Sequence, residues 1–459
     1  MKRRQLLAGA SAVVLGGGHA AAQSAAVIAG TVIRDAYVIT MDPELGDLKG
    51  VDIHVRGTNI IAIGPDIQVP DAEVVDAAGM IVMPGIVDTH WHMWNSLLRG
   101  LVGSTPQTGY FPTIRKYGPH YTPLDTYAAT RLALAEALRG GVTTVHNWAH
   151  NIRGPGHAEA SIRAHEGVGL RARFGYGSAQ GLPPDKVQDL DDMARLRGAL
   201  MIASRNNRVT LGAALRGPQM SATEVWRREF EAAKKLGLPI SVHATGNAEM
   251  SEKFKVIETL DKAGMLGPDV QIIHAVHATP QDIEALARSR AHVSVSPNAE
   301  AASMGVPPVN AFRKAGVLTT LSIDNTALPA SVDPFGLMRE LINLLRARDG
   351  LASPFGPRQA LEMATIDGAR ALGLDGVTGS LKPGKHADLI MISTEELDFA
   401  MSGNAPVERL LMAVQPTHVD SVMVDGRFLK RKGRIVAIDA AEIINIAHDA
   451  AEELVRRAG

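Results

Sequence analysis

The stretch Met83-Pro84-Gly85-Ile86-Val87-Asp88-Thr89-His90-Trp91-His92 decides the fold class of this chain. It is typical of a buried apolar strand that begins after a Pro-Gly turn and ends in two histidines. Residues two apart on a strand point to the same face, so the imidazoles of His90 and His92 converge. Divalent zinc binds imidazole nitrogen readily, which makes the pair a candidate part of a metal site. By itself the pair is weak evidence in a chain with 16 histidines.

Seven further apolar strands follow, separated by segments with helical periodicity. The eight predicted strands are residues 83–90, 142–147, 171–177, 208–214, 239–245, 270–276, 292–297 and 318–324. Alternation of strand and helix indicates a parallel sheet, and eight units favour a (β/α)8 TIM barrel over residues 83–376. An open doubly wound sheet is the alternative. The first strand is not followed by a Gly-rich dinucleotide fingerprint, which disfavours that alternative.

Short β-rich segments flank the barrel region on both sides. Residues 31–40, 51–55 and 59–64 precede it, and residues 388–392 and 419–427 follow it. We therefore predict an α/β chain with a second, composite β-sandwich domain built from residues 23–82 and 377–459.

Residues 1–22 are typical of a Tat-like signal peptide. Lys2-Arg3-Arg4 precedes a weakly apolar segment, and Ala20-Ala21-Ala22 matches a small-residue cleavage site. A Sec signal or a disordered tail is the alternative. Since Tat-type export carries folded proteins, the segment predicts a periplasmic protein that acquires its cofactor before export. The body of the chain has no apolar run of about 20 residues, so no membrane insertion is expected after signal cleavage.

The composition excludes several classes of function. The formal net charge is −1, with no basic stripe, which disfavours nucleic acid as a partner. The chain has no cysteine, which excludes disulfides, thiolate catalysis and cysteine-based zinc sites. The expected partner is a small-molecule substrate, and a homo-oligomer is left open.

Polar residues cluster where barrel enzymes place their active sites, at the C-terminal ends of the strands. Strand five ends in His243, strand six in His274 and strand eight in Asp324. With His90 and His92, these residues predict a histidine-rich metal site completed by a carboxylate.

The chain resembles the amidohydrolase superfamily, in the branch of cytosine deaminase and the triazine chlorohydrolases. The resemblance covers about residues 27–433. The matching motifs are residues 83–92, Gly140-Gly141-Val142-Thr143-Thr144-Val145, Leu238-Pro239-Ile240-Ser241-Val242-His243, Ile273-His274-Ala275-Val276-His277, Ser322-Ile323-Asp324 and Leu381-Lys382-Pro383-Gly384-Lys385-His386-Ala387-Asp388-Leu389.

The resemblance implies that His90, His92, His243 and Asp324 ligate one divalent metal ion, and that His274 contacts the substrate or the attacking water. Zinc is the default metal, with Fe²⁺ or Mn²⁺ as alternatives. Family members with two metals usually bridge them with a carboxylated lysine on strand four. Residues 208–216 contain no lysine, which favours one metal. Asp324 and His274 are the predicted catalytic residues, Asp324 as the proton acceptor and His274 as a polarising group.

One position departs from the deaminase branch. There the strand-five histidine is commonly followed at +3 by a glutamate that shuttles protons to the ring under attack, but this chain has Gly246. Glu249 is a candidate replacement. The departure disfavours ring deamination and leaves metal-activated hydrolysis intact.

Further polar and aromatic residues at the strand ends are candidates for substrate binding. They are Trp94, Asn95, His146, Trp148, His277, Asn298 and Thr326. An aromatic ring among several imidazoles suits a flat, polar substrate, although Trp148 is equally consistent with packing.

The sequence therefore predicts a metal-dependent hydrolase of a small molecule. The first expectation is cleavage of a non-peptide C–N bond in an amide, cyclic amide or carbamate. The alternatives are a hydrolytic deaminase or dehalogenase of an N-heteroaromatic ring and, in another class, a metal-containing periplasmic binding protein without turnover.

Overall fold

The computed structural model describes residues 29–203, 208–328, 331–400 and 406–459. The predicted signal peptide, residues 1–22, lies outside these described residues. Within the described ranges, no helix combines the length and the apolar character needed to cross a membrane.

The described residues form seventeen strands in two sheets. The first strands are β1 (Thr31–Ile39), β2 (Asp47–Arg56), β3 (Asn59–Gly64), β4 (Glu73–Asp76) and β5 (Met80–Pro84). The barrel strands are β6 (Ile86–Trp91), β7 (Val142–Ala149), β8 (Arg171–Gly177), β9 (Val209–Leu215), β10 (Ile240–Ala244), β11 (Val270–His274), β12 (His292–Val295) and β13 (Thr319–Leu321). The last strands are β14 (Leu389–Ser393), β15 (Val419–Val424), β16 (Arg427–Arg431) and β17 (Arg434–Ile435).

Sixteen α-helices connect and cover these strands in the described part of the chain. They are α1 (Tyr110–Tyr117), α2 (Pro123–Arg139), α3 (Pro155–Val168), α4 (Leu190–Ala203), α5 (Gly217–Met220), α6 (Thr223–Lys235), α7 (Ala248–Phe254), α8 (Val256–Lys262), α9 (Pro280–Ser289), α10 (Pro297–Ser303), α11 (Val309–Lys314), α12 (Pro334–Asp349), α13 (Pro357–Met363), α14 (Ile366–Ala371), α15 (Pro406–Ala413) and α16 (Ala440–Ala458). A short 3₁₀ helix, Met93–Leu98, directly follows His92.

Strands β6 to β13 form the predicted barrel. They lie side by side in chain order, and every neighbouring pair is parallel. Two backbone bonds close the sheet. The amide of His92 donates to the carbonyl of Asp324 at 2.6 Å, and the amide of Asp324 donates to the carbonyl of His90 at 2.9 Å. The (β/α)8 prediction is confirmed, and the closure itself brings Asp324 to the histidine pair.

The other nine strands form the predicted second β domain from both ends of the chain. Strand β14 pairs with β5 on one side and β15 on the other, so the early and late strands join in one sheet. Its apolar core includes Ile33, Ile53 and Met391. The nine strands of this β domain form one continuous, mainly antiparallel hydrogen-bonded sheet around that core.

The C-terminal helix α16 has a different place from the one we expected. Residues 377–459 were assigned to the β domain, but α16 packs against α2 and the 3₁₀ helix that follows His92. Its buried stripe of Ala447, Ala450 and Leu454 has helical spacing and supplies the apolar contact. Arg131 of α2 also pairs with Glu442 at 3.1 Å. The last helix therefore supports the segment that carries Trp94.

Gly85 is the junction between the two sheets. The chain up to Pro84 pairs with β14, and from Ile86 onward it belongs to the barrel, so the predicted strand 83–90 is divided between them. The Gly85 amide donates to the carbonyl of Asp388 at 3.1 Å. A Cβ atom at this position would lie 2.1 Å from the side chain of Thr143. Only glycine fits this crossing without displacing β7.

Gly85→Ala is expected to lower the free energy of unfolding by about 1–3 kcal/mol, because the new methyl group overpacks a buried contact. Thr143→Ala removes the two atoms that Cβ would meet at 2.1 Å and leaves the Cβ of residue 143 at 2.6 Å, and the Thr143 hydroxyl has no partner among the described residues. The double variant should therefore recover part of the loss. Denaturant unfolding of the four proteins measures this, and a double variant less stable than Gly85→Ala alone would contradict the account.

Candidate active site at the C-terminal end of the barrel

The five site residues predicted from strand ends come together at one end of the barrel. His90 lies in β6 and His92 just beyond it, His243 lies in β10, His274 ends β11, and Asp324 follows β13. All five side chains are buried. Because the carboxyl ends of parallel barrel strands meet at one face, the strands themselves gather these groups.

The imidazole of His90 lies at the centre of the cluster. Its ring centre is 4.6 Å from that of His92, 4.9 Å from that of His243 and 5.9 Å from that of His274. One nitrogen from each of His90, His92 and His243 lies within 4.8 Å of the other two. The same holds for one ligand atom each of His90, His274 and Asp324.

The carboxylate of Asp324 lies close to both His90 and His92. Its Oδ1 lies 3.1 Å from Nε2 of His90 and 3.4 Å from Nε2 of His92. Its Oδ2 accepts a hydrogen bond from Nδ2 of the Asn325 side chain at 2.8 Å. Asp324 has a φ of 67°, which is uncommon for a residue other than glycine. The backbone bonds that close the barrel hold it there, so the fold maintains a conformation that aspartate alone would rarely adopt.

The histidines of this cluster suit metal binding. Burial lowers the pKa of His90 and His243 well below the ordinary value, and neighbouring histidines lower it further. Burial also lowers the pKa of His92. These imidazoles are therefore neutral at pH 7, each with a lone pair for a ligand bond. Nδ1 of His90 is buried and has no hydrogen-bond partner in the described part of the chain. Neutral imidazoles beside a carboxylate fit a divalent metal ion.

His274 has a buried partner that the sequence did not indicate. Its Nδ1 lies 3.0 Å from Oε1 of Glu300, which is fully buried on α10. Burial lowers the pKa of His274, but the hydrogen bond with Glu300 and the charges of Asp324 and Glu300 outweigh burial, so the pKa is raised overall. The signal available in the sequence was an acidic residue just after strand 292–297, where we selected Asn298 instead.

Trp148 packs directly on the histidine cluster, and Trp94 reaches it through His150. The Trp148 ring lies 4.4 Å from the His243 ring and 5.1 Å from the His92 ring, nearly perpendicular to both, and its carbonyl lies 3.2 Å from Nδ1 of His92. Nε1 of Trp94 donates to Nδ1 of His150 at 3.1 Å. His150 in turn lies 4.4 Å from His92, ring to ring. These aromatic rings form the wall on the His92 side of the site.

Asn95 links the site to the first residue of α1. Its amide donates to the hydroxyl of Tyr110 at 3.0 Å, and its own Oδ1 is buried without a partner among the described residues. Burial raises the pKa of Tyr110, and the charge of Asp324 raises it further. The phenol of Tyr110 therefore stays protonated beside the site, a residue that the sequence analysis did not select.

The other four predicted substrate contacts are engaged elsewhere. Nδ1 of His146 lies 3.1 Å from both the Thr89 carbonyl and Gln271 Oε1 within the barrel, and burial lowers its pKa to about 3. The remaining three contacts are His277 with the Met304 carbonyl at 3.0 Å, Thr326 with Ser96 at 3.1 Å, and Asn298 with the carboxylate of Glu340. A substrate role for these four stays a prediction.

Gly246 stands where the deaminase branch commonly has glutamate, and its backbone conformation favours glycine. Gly246 has a φ of 106°, and a Cβ atom there would lie 2.7 Å from the sulfur of Met250. A glutamate at this position would therefore require a different loop. Glu249 is exposed at the start of α7, which gives it no contact with the buried cluster.

The comparisons with known proteins agree with this geometry. The model of the Amidohydrolase family matches residues 81–429. A 5'-deoxyadenosine deaminase of Methanosarcina acetivorans is 30% identical over 444 residues, which cover 94% of this chain and 100% of that protein. The chain belongs to the amidohydrolase family.

Two further similarities extend this assignment. A 5-methylthioadenosine/S-adenosylhomocysteine deaminase of Halobacterium salinarum is 32% identical over 418 residues, covering 87% of this amidohydrolase and 92% of that protein. A zinc-bound adenosine deaminase from Xanthomonas campestris superposes with a TM-score of 0.83 at 22% identity, over 93% and 99% of the two chains. A zinc complex of atrazine chlorohydrolase from Arthrobacter aurescens superposes with a TM-score of 0.81 at 22% identity, over 92% and 100%.

The predicted superfamily and fold are confirmed, and so is a hydrolase that acts on non-peptide C–N bonds. The alternative of a binding protein without turnover is not favoured.

Proposed function

We propose that this amidohydrolase removes an amino group hydrolytically from an N-heteroaromatic ring, and that its substrate class is a purine nucleoside. The observation that carries the proposal is the convergence of His90, His92, His243 and Asp324 beside the indole ring of Trp148. The relatives at 30–32% identity are deaminases of adenine nucleosides, which supports this substrate class.

We further propose that His90, His92, His243 and Asp324 hold one zinc ion. When bound, such an ion would supply a Lewis acid that lowers the pKa of a water molecule to about 7. The neutral imidazoles and the Asp324 carboxylate are the ligand types that zinc prefers. Two structural neighbours carry zinc, which supports zinc over Fe²⁺ or Mn²⁺.

Asp324 and His274 would then have separate roles in the reaction. Asp324 accepts a proton from the attacking water and delivers it to the leaving amino group. The C–O bond forms at the ring carbon, the C–N bond breaks, and ammonia leaves. Nε2 of His274 accepts a hydrogen bond from the attacking water and orients it toward the ring carbon. Trp148 and Trp94 exclude water from one side of the site.

A second candidate function is supported by Gly246. An amide, cyclic amide or carbamate needs no carboxylate to protonate a ring, and the φ of Gly246 keeps a glutamate out of that loop. This is the cleavage that the sequence analysis placed first. It shares the same water and the same Asp324, so the two functions differ only in the leaving group.

A substrate panel separates these functions. Zinc-loaded enzyme is incubated with 5'-deoxyadenosine, 5'-methylthioadenosine, adenosine and aminotriazines, and in parallel with N-aryl amides, hydantoins and carbamates. Ammonia release from one or more aminopurines supports the proposal, and inosine serves as the matched compound without an amino group. Amine release from the amides alone, with no ammonia, would replace deamination by the second function.

We also propose that the chain is exported to the periplasm by a Tat-type pathway, on the strength of the Arg3-Arg4 pair and the small residues near Ala22. The double substitution Arg3→Lys/Arg4→Lys should retain the folded enzyme in the cytoplasm, as measured by fractionation. Unchanged export of that variant would favour a Sec signal.

A further inference from the structure

Glu300 is a buried acid beside His274 that belongs neither to the proposed metal ligands nor to the proposed proton-transfer groups. Its side chain is fully buried, and its Oε1 accepts from the Ser296 amide at 2.8 Å and lies 3.0 Å from Nδ1 of His274. Its Oε2 is buried with no hydrogen-bond partner in the described ranges. Burying a carboxylate with an unsatisfied oxygen is costly, so a structural role alone gives a weak reason to keep it.

The hydrogen bond with Glu300 determines which nitrogen of His274 faces the site. With Glu300 ionised, its carboxylate only accepts hydrogen bonds, and Nδ1 of His274 then carries the proton that points at Oε1. A ring nitrogen of His274 lies within 4.8 Å of ligand atoms of His90 and Asp324, and since Glu300 engages Nδ1, Nε2 is the nitrogen left for these groups. His274 and Ala275 have φ values of 72° and 50°, so the backbone also holds this side chain in an uncommon position.

The same short segment ties Glu300 to the strand that supplies Asp324. The hydroxyl of Ser296, the residue before α10, lies 2.8 Å from the hydroxyl of Ser322. Ser322 also accepts from Ser294 at 2.9 Å and lies two residues before Asp324. The contacts therefore fix α10, His274 and the Asp324 segment relative to one another.

We propose that Glu300 is a positioning residue that holds His274 in the Nδ1-protonated form with Nε2 directed at the reacting groups. This inference rests on the proposed function for its effect on turnover. Glu300, on the helix α10 that follows β12, would then supply a carboxylate at the catalytic end of the barrel. The loop after β10 supplies none at Gly246, where the deaminase branch commonly has glutamate. A carboxylate that orients a histidine in this way is a common means of fixing its tautomer.

Glu300→Leu tests the proposal by removing the acceptor at similar size. We expect kcat to fall by about 10- to 100-fold, the usual effect of losing such a supporting group, with KM within about twofold. Glu300→Gln keeps one acceptor oxygen and should recover most of kcat. In a His274→Asn background, Glu300→Leu should lower kcat no further, because its effect passes through His274.

A second readout does not depend on the substrate. In ¹⁵N-histidine-labelled enzyme, the His274 resonances, assigned by their loss in His274→Asn, should report a protonated Nδ1. That signal should change in Glu300→Leu and persist in Glu300→Gln. If the leucine variant does not fold, the glutamine variant is compared with the unchanged enzyme. Glu229→Gln is the matched control, because Glu229 is equally buried but pairs with Arg216 at 3.0 Å and contacts none of the site residues described above.

An unchanged His274 tautomer in Glu300→Leu would overturn the proposal, and so would an equal loss of kcat in the His274→Asn background. A failure of the proposed deamination looks different. In that case the aminopurines release no ammonia, while the His274 resonances still respond to Glu300.

Discussion

Asp324→Asn is expected to lower kcat by about 10³-fold or more, the range associated with losing a positioned proton-transfer group. The amide cannot accept a proton from the attacking water, and it is a poor ligand for a divalent ion. It has nearly the same size as the carboxylate and keeps the backbone bonds to His90 and His92 that close the barrel. The variant should therefore fold. Steady-state kinetics with metal content measured on the same sample gives the result.

Asp333→Asn is the matched control for this substitution. Asp333 caps α12, where its side chain accepts from the Gly336 amide at 2.8 Å, and asparagine caps a helix equally well. Activity and stability should both stay near those of the unchanged enzyme. An Asp324→Asn variant that retains more than a tenth of kcat would show that Asp324 does not transfer the proton.

Metal removal is the second large effect. Dialysis against a chelator should abolish turnover, and zinc should restore it. Three of the proposed ligands are neutral buried imidazoles, and Asp324 is the only charge that the metal would neutralise among them. Metal should also stabilise the fold, by about 2.7 kcal/mol when its free concentration is 100 times Kd. Activity and Tm are measured on the apo and reconstituted protein.

His243→Ala provides the internal check for that experiment. Its ring lies 4.9 Å from that of His90 and 5.3 Å from that of His92, so its loss removes a ligand without breaking the barrel closure. The variant should bind less metal and show a smaller Tm increase on adding zinc. Full activity in chelator-treated enzyme whose metal content is verified as zero would contradict a metal-dependent reaction.

The sequence predicted the barrel and its site because both depend on where strands end. Each of His90, His243, His274 and Asp324 follows an apolar run, and parallel strands bring such positions to one face. The composite β domain was also visible, since β-rich segments occur at both ends of the chain. The pairing of β14 with β5 was not visible, because it joins residues distant in sequence.

The supporting residues were harder to predict for a geometric reason. Asn298 and Glu300 are two apart on α10, and residues two apart on a helix point in different directions. Which of them faces His274 depends on where the helix begins. Likewise, the placement of α16 on the barrel depends on a tertiary contact with α2 that no local pattern shows.

Hydrolytic deamination is tested most directly by measuring ammonia and the nucleoside product in one reaction. Zinc-loaded enzyme is given a 6-aminopurine nucleoside in ¹⁸O-labelled water, and ammonia and the nucleoside product are quantified together. The account predicts one ammonia for each product molecule and one ¹⁸O atom at the carbon that carried the amino group, with both lost in Asp324→Asn. No ammonia from zinc-loaded enzyme, or a product without the label, would contradict hydrolytic deamination at this site.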